Sequence, residues 1–415
     1  MKIEIKNLGP IHHFEFDLEK DLHLLYGENN VGKSFAVNVL YCLIKAFYSN
    51  KDKSGIKDTD HQKKSNIEKI RSFWENILLK NFNENLDITY DSVNPINAID
   101  QNLAIEIKID LTHYSISLSK GYSDSDFTLS QIELNKAGIN LDKDENLVAD
   151  VAQYYFSDTT NQVGEIFSLP ASRSGLYLAL SGMGEIMARL SQIGGSTTIG
   201  LPSLPLSVSD YYLTLMKGNG NGHKGINLLG KKIENKFLHG TISLNQQNKK
   251  IYYQPFGAEK EIHISQGASM VSELAPIVLY LKNILGGSVS FSPSLLIIEE
   301  PEAHLHPKVQ VQLMEIFAEL TKHHVKVILT SHSNYMFNKL SNMLLKKEIG
   351  PEKVKVYHME MTDKGSIVKE DMKATAEGIE DHNFSGVAEK LYNERLQTYH
   401  VLNEEGNVYK RTPKE

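Results

Sequence analysis

Cysteine is almost absent from this sequence: Cys42 is the single one among 415 residues. One thiol cannot form an internal disulfide and offers no second sulfur for a metal site. We therefore expect a chain that works in a reducing, cytoplasmic setting, with Cys42 as a small residue of the core.

Long apolar runs are also lacking. The longest, such as "APIVLYL" at 275–281, falls well short of the roughly 20 residues of a membrane helix, and the amino-terminal residues lack the apolar stretch of a signal peptide.

An excess of positive charge is lacking too, since 44 Lys and Arg face 51 Asp and Glu and the formal net charge is -7. This balance argues against electrostatic binding of nucleic acid over a broad surface, although a local basic patch is compatible with it. There is no internal repeat and no heptad pattern long enough for a coiled coil. The length fits one large α/β domain with an insertion, or two modest domains.

The pattern of apolar residues predicts strands at the amino terminus and βαβ units near the carboxyl terminus. Strand-like alternation at 2–27 precedes a helical pattern at 32–49, and the last strands and helices between 294 and 333 imply a parallel sheet. In between, three alternating stretches predict an antiparallel sheet with one covered face: they are "LDITYDS" at 86–92, "LAIEIKIDLTHYSISLS" at 103–119 and "FTLSQIEL" at 127–134. Residues 147–240 are expected to be mostly helical, broken by a Gly/Ser/Pro-rich loop at 194–209.

The stretch "GENNVGKS" at 27–34 matches the phosphate-binding loop pattern G-x-x-x-x-G-K-S, the Walker A motif. It stands where the motif must, after a strand and before a helix, so that backbone N–H groups and the helix N-terminus can surround a phosphate. Gly27 and Gly32 keep side chains away from the phosphate. Lys33 is expected to reach the β- and γ-phosphates, and the Ser34 hydroxyl to ligate Mg²⁺.

The stretch "LLIIEEPEAHLHP" at 295–307 puts two glutamates together at the end of an apolar strand. Adjacent like charges are costly in a low-dielectric setting, and a magnesium nucleotide would supply the missing positive charge. The strand then corresponds to a Walker B motif, with Glu299 holding Mg²⁺ and Glu300 taking a proton from the attacking water. His332, at the carboxyl end of "VILTSHS", would hydrogen-bond the γ-phosphate and orient the water.

These three motifs resemble those of the ATP-binding-cassette class of ATPases, in the branch of SMC-type and OLD-family (overcoming lysogenization defect) proteins. The resemblance implies an α/β fold with a mixed, mainly parallel core sheet, an antiparallel β subdomain and a helical insertion. It also implies a head-to-tail homodimer, or a larger homo-oligomer, with Mg-ATP bound between protomers. The residues expected to contact the nucleotide in the loop are Gly27, Glu28, Asn29, Asn30, Val31, Gly32, Lys33, Ser34 and Phe35.

In this class each nucleotide-binding site is completed by the partner protomer, which contributes a signature sequence at the start of a helix. The candidate here is "ISQGASMVSE" at 264–273, which departs from the usual L-S-G-G-Q. One alignment puts Ser265 and Gly267 on the partner's γ-phosphate, whereas the other uses Ser269, where a hydroxyl and free N–H groups favour an anion. We favour Ser269, and an alternative is that this serine only caps the helix.

Two further segments resemble parts of the same family. Arg173 in "SLPASRSGLY" lies in a "PA-x-R-S-G" segment, which implies that it reads the nucleotide state near the phosphates, although a plain surface arginine is an equal alternative. Glu302, His304 and His306 take the D-loop position near the dimer seam. The two histidines could suggest a metal pair, but no third ligand lies nearby in sequence, which disfavours zinc.

Three function classes compete. The first is the ATPase subunit of a bacterial anti-phage defence system with a separately encoded effector. The second is an OLD-type nuclease, disfavoured because the tail after His332 has no apolar strand ending in D-x-D. The third is a DNA-repair ATPase of the RecF type, or a transporter subunit. The expected division is an ATPase lobe at 1–174 with the antiparallel strands, a helical insertion at 175–240 and a second ATPase lobe at 241–415.

Overall fold

The structure is a computed structural model that describes ten segments of the chain: 1–48, 66–90, 103–121, 124–134, 163–190, 204–218, 222–285, 292–369, 372–379 and 384–404.

Fourteen strands are formed by the described residues. In chain order they are β1 (Lys2–Leu8), β2 (Ile11–Asp17), β3 (Leu22–Gly27), β4 (Ile105–Asp110), β5 (Tyr114–Lys120), β6 (Thr128–Leu134), β7 (Glu165–Leu169), β8 (Gly240–Leu244), β9 (Ile251–Pro255), β10 (Ile262–His263), β11 (Ser294–Glu299), β12 (Val325–Ser331), β13 (Val354–Thr362) and β14 (Gly365–Lys369).

All of the described helices except the last contribute side chains to the hydrophobic clusters on the two faces of the sheet. The helices are α1 (Lys33–Tyr48), α2 (Asn66–Trp74), α3 (Lys80–Tyr90), α4 (Arg173–Leu190), α5 (Leu206–Lys217), α6 (Lys224–Ile233), α7 (Ser269–Leu279), α8 (Pro307–Leu320), α9 (Asn334–Leu345) and α10 (Phe384–Glu404). Three π-helical turns adjoin these helices, namely Glu75–Leu79 between α2 and α3, Glu234–Leu238 after α6 and Tyr280–Ile284 after α7.

One eleven-stranded sheet organises the molecule, in the order β6-β5-β4-β1-β2-β14-β13-β3-β12-β11-β7. The half that carries β13, β3, β12, β11 and β7 is parallel, and the half that carries β6, β5, β4, β1 and β2 is antiparallel. The strand β14 joins them, antiparallel to β13 and parallel to β2. The predicted α/β fold with a mixed sheet is therefore confirmed, and the antiparallel strands continue the core sheet.

Two hydrophobic clusters cover the two faces of the parallel half. Alternate residues of β11 enter different clusters, with Leu295 and Ile297 on one face and Leu296 and Ile298 on the other. Side chains alternate across a strand, so a strand that is buried on both faces reads as a continuous apolar run. This burial explains the uninterrupted "LLII" before the glutamates.

Two of the sequence predictions were wrong in this region. The stretch at 86–92 was expected to be a strand, but its described residues end the helix α3, where Leu86 packs in the core although alternation suggested a strand. Residues 165–169 were expected to be helical, yet they form the edge strand β7, parallel to β11. In both cases packing against the sheet overrides a weak local pattern.

The described part of the expected insertion is built into the core. Tyr211 and Leu215 of α5 and Ile226, Leu229 and Ile233 of α6 belong to the same hydrophobic cluster as α7 and α8. Helix α6 and its π-helical turn then lead into the small sheet of β8, β9 and β10. These helices therefore form a layer on the parallel half of the sheet, while the domain division itself stays a prediction.

The last helix, α10, carries exposed large apolar side chains, among them Leu391, Tyr392 and Tyr399. Among the described residues no helix has the length and apolar character needed to cross a membrane.

Cys42 is buried beside Thr89, and burial raises the pKa of its thiol to about 12.

Candidate functional site

The predicted phosphate loop, acidic pair and histidine meet at one edge of the parallel sheet. The strands β3, β12 and β11 are consecutive neighbours and run in the same direction. Their carboxyl ends therefore lie side by side, which is where ligands bind in open α/β sheets. The strand β3 ends at Gly27, β11 ends at Glu299, and His332 directly follows β12.

The phosphate loop has a backbone conformation that requires glycine at two positions. Gly27 has a φ of +153°, and a Cβ built there would overlap the main-chain oxygen of Met359 on β13. Gly32 has a φ of +82° and packs against Pro10, 3.0 Å from the position that a Cβ would take. Asn30 is also left-handed, at +64°, as its short polar side chain permits. Side chains larger than hydrogen at the two glycines would therefore push the loop out of shape.

The ammonium group of Lys33 lies inside this loop. Its Nζ donates to the carbonyl oxygens of Gly27 at 3.0 Å and Glu28 at 2.7 Å, and it lies 3.4 Å from Nδ1 of His332. Burial lowers the pKa of Lys33 to about 8, while the charges of Glu300 and Glu302 act in the opposite direction. The partly desolvated ammonium group of Lys33 thus lies between the phosphate loop and the acidic residues.

The first glutamate of the pair faces the start of α1. The Glu299 carboxylate is 5% exposed and hydrogen-bonds the hydroxyl of Ser34. Burial raises the pKa of Glu299 to about 7, and the Ser34 hydrogen bond and the charge of Arg173 lower it in part. A hydroxyl and a carboxylate brought together in this way are oxygen donors of the kind that Mg²⁺ prefers.

The second glutamate is turned out of the strand. Glu300 has a φ of +43°, and its N–H donates to the carbonyl oxygen of Thr330 at 3.0 Å. Its side chain is 40% exposed, and Oε1 lies 3.6 Å from Nε2 of His332. The left-handed backbone therefore separates the two carboxylates, so that one is buried beside Ser34 and the other is open to solvent beside the histidine.

The contacts of His332 define its neutral tautomer. Lys33 has hydrogen-bond donors only, so the Nδ1 atom that faces its ammonium group must be the acceptor. The ring proton then resides on Nε2, the nitrogen that faces Glu300. His332 is thus placed to offer an N–H on the same side as the exposed carboxylate.

Arg173 lies against the main chain of the acidic pair. Its side chain is 0% exposed, so the alternative of a plain surface arginine is wrong, whereas its expected response to the nucleotide stays a prediction. The guanidinium group donates to five main-chain carbonyl oxygens, those of Pro170, Glu273, Glu299, Glu300 and Pro301, at 3.1–3.4 Å. Arg173 therefore fixes the backbone that carries both carboxylates.

The candidate signature segment leads into the helix α7, and its two serines have different contacts. The Ser265 hydroxyl donates to Nδ1 of His263 at 2.7 Å, since the N–H of Ser265 also points at that nitrogen. Ser269 is the first residue of α7 and is exposed. The helix cap is Ala268, which makes no side-chain capping bond. Ser269 thus does not act as the cap. Both serines are exposed, but only the Ser265 hydroxyl has a side-chain partner in His263.

The remaining predicted residues surround this edge. Glu28, Asn29 and Asn30 are exposed on the loop. Val31 is buried, and the ring of Phe35 lies 5.0 Å from that of Tyr90.

The D-loop histidines do not converge with other metal-binding side chains. His306 caps α8 by accepting from the N–H of Lys308 at 3.2 Å, and His304 is exposed with a φ of +59°. Within the described segments no group of three or more His, Cys, Asp or Glu residues could hold a metal ion.

Two residues that the sequence did not single out complete the arrangement. Thr330 fixes the N–H of Glu300 through both its carbonyl and its hydroxyl oxygen, at 3.0 and 3.2 Å. Glu273, buried on α7, accepts a hydrogen bond from Ser174 and lies 3.7 Å from Nε of Arg173. A glutamate inside the apolar stretch "SELAPIVL" at 272–279 was the available signal, because a buried acid needs a partner.

One comparison with known protein families agrees with the class of site. Residues 210–337 match the family described as AAA ATPase domain. This segment contains the signature candidate, the acidic pair and His332, and it covers less than half of the chain. The comparison with curated proteins gives no match.

Among solved structures, the SMC head domain from Thermotoga maritima overlaps with a TM-score of 0.41 at 11% identity, over 89% of this chain and 97% of that chain. An SmcHead bound to the C-winged helix domain of ScpA gives 0.41 at 10% identity, over 89% and 96%. An Smc head domain with an extended coiled coil, bound to the C-terminal domain of ScpA derived from Pyrococcus furiosus, gives 0.37 at 11%, over 95% and 98%. A likeness at this level says nothing of what this chain binds.

Proposed function

We propose that this protein binds Mg-ATP at the carboxyl ends of β3, β11 and β12 and hydrolyses it. The observation that carries this proposal is the position of the His332 ring between two charged groups, with Nδ1 at 3.4 Å from Nζ of Lys33 and Nε2 at 3.6 Å from Oε1 of Glu300. A cation, a carboxylate and an N–H donor at one phosphate loop are the parts that phosphoryl transfer to water requires. The match of residues 210–337 to an ATPase family supports the same reaction.

Each side chain has a distinct part in this proposal. Lys33 neutralises the β- and γ-phosphates, and exchanges its hydrogen bonds to the loop carbonyls for bonds to phosphate oxygens. Glu300 accepts the proton of the attacking water, a task for which its exposed carboxylate is suited. His332 donates its Nε2 proton to the γ-phosphate and holds the water in line. Arg173 and Thr330 act indirectly, because they fix the backbone at Glu300.

The residues at the start of α1 suit a magnesium ion. The Ser34 hydroxyl and the Glu299 carboxylate already contact each other, so either oxygen could exchange that contact for the metal. When bound, Mg²⁺ neutralises the charge that develops on the phosphate oxygens. Because Glu299 is buried, its negative charge is stabilised once a cation is beside it.

We further propose that the site is completed by Ser269 of a second protomer, in an ABC-type head-to-tail dimer. The position of Ser269 in the first turn of α7 supports this choice over Ser265, whose hydroxyl is hydrogen-bonded to His263. A serine and free N–H groups at a helix N-terminus favour a phosphate. Because such contacts exist only in the closed dimer, ATP binding can act as a switch of assembly.

The experiment combines ATP turnover, nucleotide affinity and mass by light scattering, with and without Mg-ATP. We expect Glu300→Gln to lower turnover by at least about 100-fold, the usual contribution of a general base. It should keep nucleotide affinity and retain the larger ATP-dependent assembly, whereas Lys33→Ala should lose both. Glu319→Gln, an exposed carboxylate of α8, is the matched control. Turnover by Glu300→Gln at the wild-type rate would refute the proposed base.

Ser269→Ala and Ser265→Ala distinguish the two alignments of the signature segment. If Ser269 completes the partner's site, Ser269→Ala should abolish the ATP-dependent increase in mass while each protomer still binds nucleotide. Ser265→Ala should leave the mass increase unchanged. The opposite pattern would assign the trans contact to Ser265.

For the biological role we propose the ATPase subunit of a bacterial anti-phage defence system, acting on a separately encoded effector in the cytoplasm. The resemblance of the P-loop and acidic motifs to OLD-like ATPases is what supports it. Leu213 on α5 and Leu228 on α6 are exposed, and this layer is our candidate for the effector contact. Phage plating on cells that carry the gene with its neighbours should rise when Lys33→Ala replaces the wild type. Equal plating would count against this role.

A second candidate, nucleic-acid maintenance of the RecF type, is favoured by one observation. Residues 211–258 contain seven lysines and a single acidic residue, Glu234, which is buried and paired with Lys282 at 2.8 Å. Such a locally basic surface can bind phosphates in a chain whose net charge is negative. DNA affinity that falls steeply with salt, and is weakened by Lys231→Glu with Lys236→Glu, would favour this candidate over the defence role.

A further inference from the structure

A hydrogen-bonded network connects the turn after β11 to the residue that follows β12. Oε1 of Glu302 accepts from the Ser331 hydroxyl at 2.7 Å and from the main-chain N–H of His332 at 2.6 Å. The oxygen of Ser331 in turn accepts from the N–H of Ser333 at 3.0 Å. Ser333 donates to Gln310 of α8 at 2.6 Å, and Gln310 donates back to the carbonyl oxygen of Leu305 at 2.8 Å.

We propose that Glu302 is a positioning residue that holds His332 between Lys33 and Glu300. This inference rests on the proposed ATP hydrolysis, because the imidazole has that task only there. Glu302 does not itself act on the phosphate: its Oε1 is occupied by Ser331 and His332, and its Oε2 is buried.

The chemistry of the contact explains why a carboxylate stands here. One oxygen accepts two short hydrogen bonds, and an ionised acceptor makes stronger bonds than a neutral one. In the described part of the chain Oε2 has no hydrogen-bond partner, so the nearby cations must stabilise the charge. The charge of Glu302 acts on both Lys33 and Arg173, where it raises the pKa of each.

The consequence for His332 follows from its remaining contacts. Its ring touches Lys33 and Glu300 through longer contacts of 3.4 and 3.6 Å, whereas its backbone N–H is held at 2.6 Å. The placement of the ring thus depends on the Glu302 anchor.

The test compares Glu302→Ala, Glu302→Gln, His332→Ala and the double variant Glu302→Ala/His332→Ala, with turnover and nucleotide affinity measured separately. Glu302→Ala and His332→Ala should each lower kcat on the order of 100-fold, while nucleotide affinity stays within about threefold of the wild type. The double variant should be no slower than either single one, because both changes remove the same function. Glu302→Gln should retain most of the turnover, since its amide oxygen accepts the same two bonds.

A second measurement does not depend on hydrolysis. In protein with ¹³C-labelled histidine, the ring signal of His332 is identified by its loss in His332→Ala. Glu302→Ala should shift this signal in the nucleotide-free protein, and Glu302→Gln should leave it near the wild-type position. If Glu302→Ala is poorly folded, Ser331→Ala removes one of the two donors and should give a smaller shift in the same direction.

Several outcomes would overturn the proposal. They are multiplicative losses in the double variant, a Glu302→Gln protein as slow as Glu302→Ala, or an unmoved His332 signal in Glu302→Ala. A wild-type protein without turnover would instead refute the proposed hydrolysis. The ring signal would then still report whether Glu302 positions His332.

Discussion

Replacing Arg173 by alanine should cost this protein a large part of its stability. The guanidinium group makes five hydrogen bonds to carbonyl oxygens and lies 3.7 Å from the Glu273 carboxylate. Hydrogen bonds of a charged group contribute about 1.5–3 kcal/mol each, but they are not additive. Removing one partner of a buried ion pair costs about 3–5 kcal/mol, because the other charge stays buried.

The cost of burying Arg173 acts against these gains. Burial lowers the pKa of its guanidinium group, and the charge of Glu273 is the largest influence that raises it again. We therefore expect a loss near about 4 kcal/mol for Arg173→Ala, in the range of a broken buried pair. Arg173→Lys keeps the charge but not the planar fork of donors, and we expect it to lose about 2 kcal/mol.

Urea unfolding, followed by far-UV circular dichroism and by the fluorescence of the single tryptophan, measures these losses. Trp74 is fully buried in the cluster on the opposite face of the sheet, so coincident transitions would show that both faces unfold together. Arg395→Ala, on the exposed face of α10, is the control and should change stability by less than about 0.5 kcal/mol. An Arg173→Ala protein within about 1 kcal/mol of the wild type, at an unchanged denaturant slope, would refute the reasoning.

Three other predictions follow from single residues. Gly27→Ala should abolish nucleotide binding in a titration calorimeter while the protein stays folded, because its Cβ would overlap the oxygen of Met359; binding near wild-type affinity would contradict it. Burial lowers the pKa of His23 to about 3, so the unfolded chain takes up a proton that the folded one does not as the pH falls from 6.5 to 3. Stability should then fall by up to about 1.4 kcal/mol per pH unit, and His23→Asn should remove this slope in unfolding measured across that range. Cys42 should react with a thiol reagent only on unfolding, since burial raises the pKa of its thiol to about 12; rapid labelling of the native protein would refute its burial.

The parts of the site that could be predicted from sequence are those encoded within one strand and its next few residues. The loop after β3 and the glutamates at the end of β11 each carry a local pattern, and parallel pairing then brings the strand ends together. His332 follows β12 for the same reason. No long-range information was needed to place Lys33, Glu299 and His332 at one edge.

The features that escaped prediction depend on distant packing. Arg173 is about 100 residues from Glu273 in sequence and more from Glu299, yet it contacts both, and a guanidinium group next to small residues gives no sign of its partners. The strand β7 is short, and only its pairing with β11 makes it a strand. The anchoring by Glu302 is likewise invisible before the turn is built, because a D-loop glutamate reads as a surface charge.

The geometry at Glu300 explains how two adjacent glutamates can serve one site. In a regular strand, neighbouring side chains point to opposite faces of the sheet, so only one of the two carboxylates would reach the ligand edge. The left-handed backbone at Glu300, with φ at +43°, redirects its side chain towards His332 and costs on the order of 1 kcal/mol or more. Thr330 holds the N–H of Glu300 on one side, and Arg173 holds its carbonyl oxygen on the other. Because both restraints come from buried residues of the sheet and its helices, the strained turn is maintained by the fold itself, and it keeps the Glu300 carboxylate beside His332 while Glu299 faces Ser34.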